Sequence, residues 1–537
     1  MCMFCLAGNA PFRYCIRSVV FDILRDMRNE SLKLAFLLFG TVTAIASLQA
    51  AVKLGLPFSD HAVLQREKPV AVWGWADSGE KVTVTFADQV VETTADAKGE
   101  WRVNLKPMSA SKTPRTLTAN DVKVNDVLVG EVWFAGGQSN MGVPLVWVDP
   151  RHGDDKGAMI AQYVKRPFVR FARHEARWSQ TPKRTGSMKW REMNYENLKS
   201  DEGDGPRHYG FSAVASYFAL ELYSEIDVPI GILAAYNGGI NIESWTPREG
   251  FESIPELREL AEKYPVSAEE WERRWKELVR GGIRGGPFRQ PSALWNSCIE
   301  PLAPYTMRGA IWYQGESNEA NPDEYCQLSH ALWNGWAKKF ENPGLPFYFA
   351  QLAPWGSAAV PALQEAQAKF AAEQPNAAMS VINDLGTIGD YHPVRKQLVA
   401  QRLALHALKR LYGYTHIQDN SPTLKSWRIE GNKFILSFND VKRFYVYNPD
   451  RSLDAGFEVC GAYGKWHPAE IENFKVSKEG GKEYRYGELV GTDVIVSAKS
   501  VDKPVKLRYL HSSPWHGALY SEVNLPVGAF HIDAALR

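Results

Sequence analysis

A chain of 537 residues is too long for one ordinary hydrophobic core, so several domains are expected, each with ample apolar material. Its 62 Lys and Arg against 61 Asp and Glu leave a formal net charge of +1 and no block of like charge, which argues against nucleic acid or an anionic membrane as the main partner. Aromatics make up 12% of the residues, with 18 Trp and 22 Tyr; such side chains offer flat contact area to sugar rings, although most belong in β-sandwich cores.

Residues 1–26, with Cys2, Cys5 and Cys15, read as an upstream extension outside the folded protein. Residues 27–51 have the layout of a secretory signal peptide: Arg28 and Lys33, an apolar run from Leu34 to about Ala46, then small residues. That run is too short and wrongly flanked to span a bilayer. The expectation is a secreted or periplasmic protein with no membrane contact after the signal is removed. Three cysteines remain, Cys298, Cys326 and Cys460, whose spacing fits no zinc or redox motif and leaves open one disulfide with a spare thiol or three free thiols.

Residues 52–127 show short alternating segments (69–75, 81–86 and 100–105) between turns, the texture of a small antiparallel β-domain. The rhythm then changes. Over 128–415, strand-like runs at 131–135, 229–236, 309–313, 346–352 and 378–382 alternate with helical ones at 211–225, 322–340, 362–373 and 394–411. Strands separated by helices predict an α/β domain with a parallel sheet. A charged, Trp-bearing segment at 254–278, followed by glycine-rich 281–287, predicts a helical insertion over about 250–288. From 416 to 537 the short-strand texture returns as a C-terminal β-domain.

In α/β sheets, functional groups gather beyond the carboxyl ends of the strands. The first exit is Gly136-Gly137-Gln138-Ser139-Asn140, a serine on a Gly-Gly turn whose spacing is not GxSxG. The second is Asn237-Gly238-Gly239, where glycine lets the backbone approach a ligand and offer its N–H. The third is Gln314-Gly315-Glu316, an amide donor beside a carboxylate. The last carries Asp390-Tyr391-His392-Pro393. A serine, oxyanion donors and a carboxylate-flanked histidine are the parts of nucleophilic acyl transfer.

GGQSNM, NGGINIESW, GAIWYQGESN and DYHPVRKQLVAQRLAL together resemble the sialate O-acetylesterase family of the SGNH-hydrolase superfamily, with weaker kinship to carbohydrate acetylesterases acting on xylan. LPFSDHAVLQREKPVAVWGWA resembles that family's N-terminal β-domain, and GFEVCGAYGKWHPAEI with NLPVGAFHID its C-terminal one, so the likeness covers essentially the whole mature chain. The resemblance implies an SGNH-type parallel sheet flanked by helices between two β-sandwich-like domains. It implies Ser139 as nucleophile, His392 as base, and oxyanion donors from Ser139 N–H, Gly238, Gly239 and the Gln314 amide. The superfamily's usual Asp three residues before the His is Gly389 here; Asp390 is the expected orienting acid, with Asp384 or a Ser–His dyad oriented by a backbone carbonyl as alternatives.

Gln138, Asn140, Glu316 and Trp245 are further candidates for substrate contact, and Trp312 and Trp355 for sugar stacking. Tyr236-Asn237 and Ile240-Asn241 replace the family's usual Ser-Trp and Thr-Pro around Gly238-Gly239, a change that bears on which acetylated sugar fits. Arg173, Arg207, Arg289 and Arg395 are available to bind a sugar carboxylate. No metal or other cofactor is expected. The predicted substrate is O-acetylated sialic acid, with acetylated xylan or another polysaccharide as alternative. A catalytically silent carbohydrate-binding protein is a third reading, and a glycosidase using Glu316 with Asp390 a fourth.

Overall fold

A computed structural model describes residues 52–147, 165–175, 177–200, 211–262, 273, 289–386, 389–447, 454–479, 482–511 and 519–536. The expected signal segment, Arg207 and the stretch 281–287 lie outside the described residues.

The N-terminal region contributes β1 (Lys53–Leu54), β2 (Val63–Gln65), β3 (Val70–Trp75), β4 (Lys81–Phe86), β5 (Gln89–Thr94), β6 (Glu100–Leu105) and β7 (Ser111–Ala119). β1, β3 and β6 form one antiparallel sheet, and the others join a large sheet through β8 (Val122–Gly137). Two-residue periodicity decides the faces: Val82, Val84 and Phe86 of β4 are buried, and the residues between them are wetter.

β8 is one 16-residue strand that runs straight through the expected boundary at 127/128. Its first part pairs antiparallel with β7 and its last part pairs parallel with two strands of the central sheet. The change of rhythm at 126 corresponds to a kink, not a break. Asp126 adopts φ +53°, a left-handed conformation unfavourable for a side-chain-bearing residue. Its carboxylate is held by Arg170 Nη2 at 2.8 Å to each oxygen and by His61 Nδ1 at 2.6 Å, contacts that offset the strain.

The central sheet continues with β9 (Lys165–Arg173), β10 (Arg191–Asn194), β11 (Ile230–Tyr236), β12 (Gly309–Tyr313), β13 (Phe347–Ala350) and β14 (Ala377–Ser380), in the order β10-β9-β11-β8-β12-β13-β14. β10 is antiparallel to β9; every other neighbouring pair in that row is parallel, so the sheet as a whole is mixed. Among its helices are α1 (Ser139–Gly142), α2 (Ala213–Ile226), α3 (Pro322–Lys339), α4 (Val360–Glu373) and α5 (Lys396–Leu411). Val132 and Phe134 of β8 face a core containing Leu332, Trp336, Leu363 and Phe370 of α3 and α4. Trp133 and Ala135 face the opposite core, with Val214, Phe218, Leu403 and Ala407 of α2 and α5. Burial on both faces explains why EVWFA is apolar without alternation.

Among the described residues, the expected insertion contributes the short helices Arg248–Glu252 and Arg258–Glu262. Beyond α5, strands between Thr423 and Asp533 form a seven-stranded and a four-stranded antiparallel sheet around a third core that includes Phe434, Val459, Leu507 and Ile532. Cys298, Cys326 and Cys460 are free and buried. No helix among the described residues is long and apolar enough to cross a membrane.

Candidate active site

The exits of β8, β11, β12 and β14 are tied together by their own backbones. Gly137 has φ +142°, and a Cβ there would lie 2.1 Å from the Tyr313 carbonyl oxygen, so only glycine lets β8 leave the sheet against the end of β12. Gln138 N–H then donates to that carbonyl at 3.0 Å, while Asn237 N–H from the end of β11 donates to Gly137 O at 3.2 Å. The Gln138 carbonyl accepts from Met141 and Gly142, each at 3.0 Å, and so opens the single turn α1 with Ser139 at its first position. Ser139 is half-buried, and its hydroxyl makes no hydrogen bond among the described residues. The backbone N–H groups of Ser139, Gly238 and Gly239 are likewise unpaired among the described residues. Gly239 has φ +72° and open space where a side chain would stand.

Asn140 is the hub. Fully buried, it donates from Nδ2 to the Tyr391 carbonyl at 2.7 Å and to Glu316 Oε1, and accepts at Oδ1 from Lys396 Nζ. The residue after Ser139 is thereby bonded to the residue before His392, and both to the exit of β12. Lys396 is itself buried, at the start of α5, with Nζ 5.2 Å from the Tyr313 ring centroid. Burial holds the Glu316 carboxyl above its usual range, against the Asn140 bond and the Lys396 charge.

His392 stands four residues before α5, with Nε2 enclosed and without a hydrogen-bond partner among the described residues. Burial, then the Lys396 charge, push its pKa below the usual histidine value, and Asp390 opposes them. The imidazole is therefore neutral at neutral pH and able to accept a proton.

Several expected residues stand differently from the sequence reading. Asp390 Oδ1 is 3.9 Å from His392 Nδ1, beyond hydrogen-bond reach, and accepts instead from the His392 backbone N–H at 2.8 Å. Asp384, the alternative, is clamped by Arg402 at 2.6 and 2.7 Å. Gln314 is completely buried, and its Nε2 donates to Ile240 O at 3.2 Å and Asn318 Oδ1 at 2.7 Å, while its Oε1 accepts from Tyr325 at 2.7 Å. Both amide hydrogens are thus spent, and Gln314 offers none to an oxyanion in this arrangement. Asn140 is likewise consumed by the protein. Gln138 is buried with Oε1 unpartnered.

Trp245 and Trp312 are buried and pack edge-to-face at 6.1 Å, so neither presents a face to a sugar. Trp355 is half-buried, meeting the 47%-exposed Tyr391 edge-on at 5.9 Å beside His392. That pair is an aromatic wall the sequence reading had only half identified. Of the arginines, Arg289 donates from Nε to Gly239 O at 3.0 Å, Arg173 lies 4.9 Å from the Tyr236 ring centroid, and Arg395 is exposed.

Residues 129–399, which contain every strand exit described above, match the family model for carbohydrate esterases of the sialic acid-specific acetylesterase type. The fold and this match define the protein as a carboxylic ester hydrolase. It belongs to the sialic acid-specific acetylesterase family of carbohydrate esterases. The chain is similar to the sialate O-acetylesterase of Rattus norvegicus, 28% identical over 484 residues that cover 80% of this chain and 87% of the relative. The human sialate O-acetylesterase is 28% identical over 453 residues, 77% of this chain and 81% of the relative. Among solved structures, a carbohydrate acetylesterase from Xanthomonas citri superposes with a TM-score of 0.73 at 29% identity, covering 90% of this chain and all of that one.

Proposed function

We propose that the protein, secreted or periplasmic, hydrolyses O-acetyl esters of a carbohydrate, O-acetylated sialic acid before acetylated xylan, through an acetyl-enzyme on Ser139. The observation that carries this reading is the Asn140 Nδ2 bond to Tyr391 O, which fixes the serine turn against the histidine loop. Ser139 Oγ attacks the acetyl carbonyl while His392 takes its proton. The ester C–O bond breaks, and the imidazolium returns that proton to the departing sugar oxygen. Water, deprotonated by His392, then attacks the acetyl-serine; the acyl–Oγ bond breaks, the imidazolium returns the proton to Ser139 Oγ, and acetate leaves. The oxyanion of each step is met by the N–H groups of Ser139 and the Gly238-Gly239 turn, where one such donor is worth about 10²–10³ in rate. Gln314 positions that turn through Ile240 O. At 3.9 Å, Asp390 acts on His392 by charge rather than as a hydrogen-bonded orienter. The SGNH-hydrolase kinship inferred from the four motifs is in keeping with these assignments.

Two substitutions test the assignment of His392 by sign. Lys396→Met removes a cation that disfavours imidazolium, so the His392 pKa rises and the acid limb of kcat/KM moves to higher pH. Asp390→Asn removes the opposing anion, and the limb moves to lower pH. Shifts in the same direction, or none in either variant, would remove His392 as the titrating base.

A carboxylate-bearing sugar fits the arginines near the site, Arg289 above all, because its guanidinium lies on the turn that carries Gly239. The deciding experiment is acetate release from O-acetylated sialic acid and from acetylated xylan side by side, with Ser139→Ala as control. Release from the sialic acid alone is expected. Release from xylan alone would mean that Asn237 and Asn241 have redirected specificity, and release from neither would favour a binding protein.

A further inference from the structure

We propose that Glu365, His511 and His531 form a divalent-cation site, of the kind that takes zinc, clamping the C-terminal β-region onto α4. The three residues come from separate elements: Glu365 from α4, His511 from the turn after the strand Pro504–Tyr509, and His531 from the strand Phe530–Asp533. No sequence motif announces them, since 146 residues separate Glu365 from His511. The fold brings their ligand atoms together. His511 Nε2 lies 2.8 Å from Glu365 Oε1, and His531 Nδ1 lies 2.8 and 2.7 Å from the two carboxylate oxygens. The imidazole centroids are 5.8 Å apart.

Two imidazoles and a carboxylate are a common zinc donor set, with a fourth position left for water. Tetrahedral donors at about 2.1 Å from the metal stand roughly 3.4 Å from one another, so each histidine nitrogen would draw back from the carboxylate oxygen it meets by about 0.6 Å. His531 is 58% exposed and lines an open groove with Glu365 and His511, which gives a cation its way in. The cations of that groove are committed elsewhere: Lys506 to Asp533 at 2.6 Å, Arg508 to Glu458 at 2.8 Å, and Lys369 towards Glu373 at 3.8 Å. Burial alone would raise the Glu365 carboxyl, but the two histidines outweigh it and hold the group ionised.

Two other clusters among the described residues are poorer hosts. In Cys326–His330–Glu373, burial and the adjacent carboxylate push the thiol up to about 12, far from the thiolate that a metal needs. In His61–Asp126–Glu192, the Asp126 carboxylate is already clamped by Arg170. The position of the Glu365 cluster also suits a clamp. Nearby, Asn383 Nδ2 donates to Val527 O at 2.8 Å, a second tie between the C-terminal region and the start of the loop that leads to His392.

The test uses the mature full-length protein, stripped with chelator and titrated calorimetrically with zinc chloride, together with its zinc X-ray absorption spectrum. One equivalent per chain is expected, bound through nitrogen and oxygen only, with a rise in Tm. His531→Gln and Glu365→Gln should each weaken uptake by at least about tenfold and abolish the Tm rise while acetate release by the metal-free proteins stays unchanged. His531 is exposed enough for its replacement to fold. No stoichiometric uptake, uptake unaltered by either substitution, or sulfur in the zinc shell would overturn the proposal.

Discussion

Replacing Ser139 by alanine is expected to lower kcat/KM for acetate release by about 10⁴-fold or more while leaving Tm within about 1 °C of the parent. The two halves of this expectation come from different features of the site. The hydroxyl makes no hydrogen bond among the described residues, so its removal leaves no orphaned partner to be paid for in stability. The turn that carries it is fixed by the backbone bonds of Gln138 to Tyr313, Met141 and Gly142, which alanine keeps. What vanishes is the only atom proposed to bond the acetyl carbon. The oxyanion N–H groups survive the substitution and leave a residual rate above water. Acetate release and a thermal melt on the same preparation check both halves. Full acetate release with an intact melt would remove Ser139 as the nucleophile; a glycosidase using Glu316 with Asp390, which has no use for the serine, would instead cleave a glycosidic bond and free no acetate. The arrangement already disfavours that reading, because Glu316 is turned inward onto Asn140.

The sheet was legible because burial leaves a period. VWFA, GILAAY and GAIWY are continuous apolar runs, and all three lie in strands covered on both faces. β9 was not legible. Its KRPFVRFAR reads as a charged stretch, and it became a strand of the central sheet because Arg170 is buried against Asp126, a partner 44 residues away. The candidate site divides in the same way. The strand exits could be read from where the glycines fall, and Gly137 is required by a measurable collision with Tyr313 O. Which polar atoms remain free could not be read, because that depends on competitors brought in from elsewhere. Gln314 looked like a donor in QGES, but the Ile240 carbonyl, 74 residues earlier, and Asn318 had already taken its hydrogens. Trp245 looked like a sugar platform until Trp312 and Trp336 enclosed it. Asn140, expected only as a substrate contact, joins three of the four exits, and its place beside Ser139 was the only sequence signal for that.

The largest expected loss of stability lies further back along β8, six residues before Gly137. Glu131 is completely buried and accepts from Arg66 at 2.5 Å, from Arg308 at 2.7 and 2.9 Å and from Gln65 at 3.0 Å, so one carboxylate joins the region around β2 to the start of β12. Glu131→Ala leaves two guanidinium groups with only the exposed Glu67 carboxylate, 3.4 Å from Arg308 and 3.7 Å from Arg66, as counter-charge, at a cost of about 3–5 kcal/mol and a fall in Tm on the order of 10 °C at pH 7. The pH dependence follows from the direction of the shift. Burial alone would raise the Glu131 pKa, but the Arg308 and Arg66 contacts outweigh it and hold the group below the usual glutamate range. The folded state therefore favours the carboxylate, and its contribution is present in full above the unfolded value of about 4.3 and is lost as pH falls through the lower folded value. The gap between parent and variant should accordingly be constant from about pH 6 to 8 and narrow below about pH 4. Denaturation by urea at several pH values measures it, and an unchanged midpoint at neutral pH would show that the triad contributes nothing. Activity supplies an independent check. Six residues of strand, roughly 20 Å, separate Glu131 from Gly137, so the folded fraction of Glu131→Ala should release acetate at the parent rate. A variant that loses stability at Glu131 and one that loses chemistry at Ser139, just past the end of the same strand, would show that a single strand joins the frame of the protein to its site.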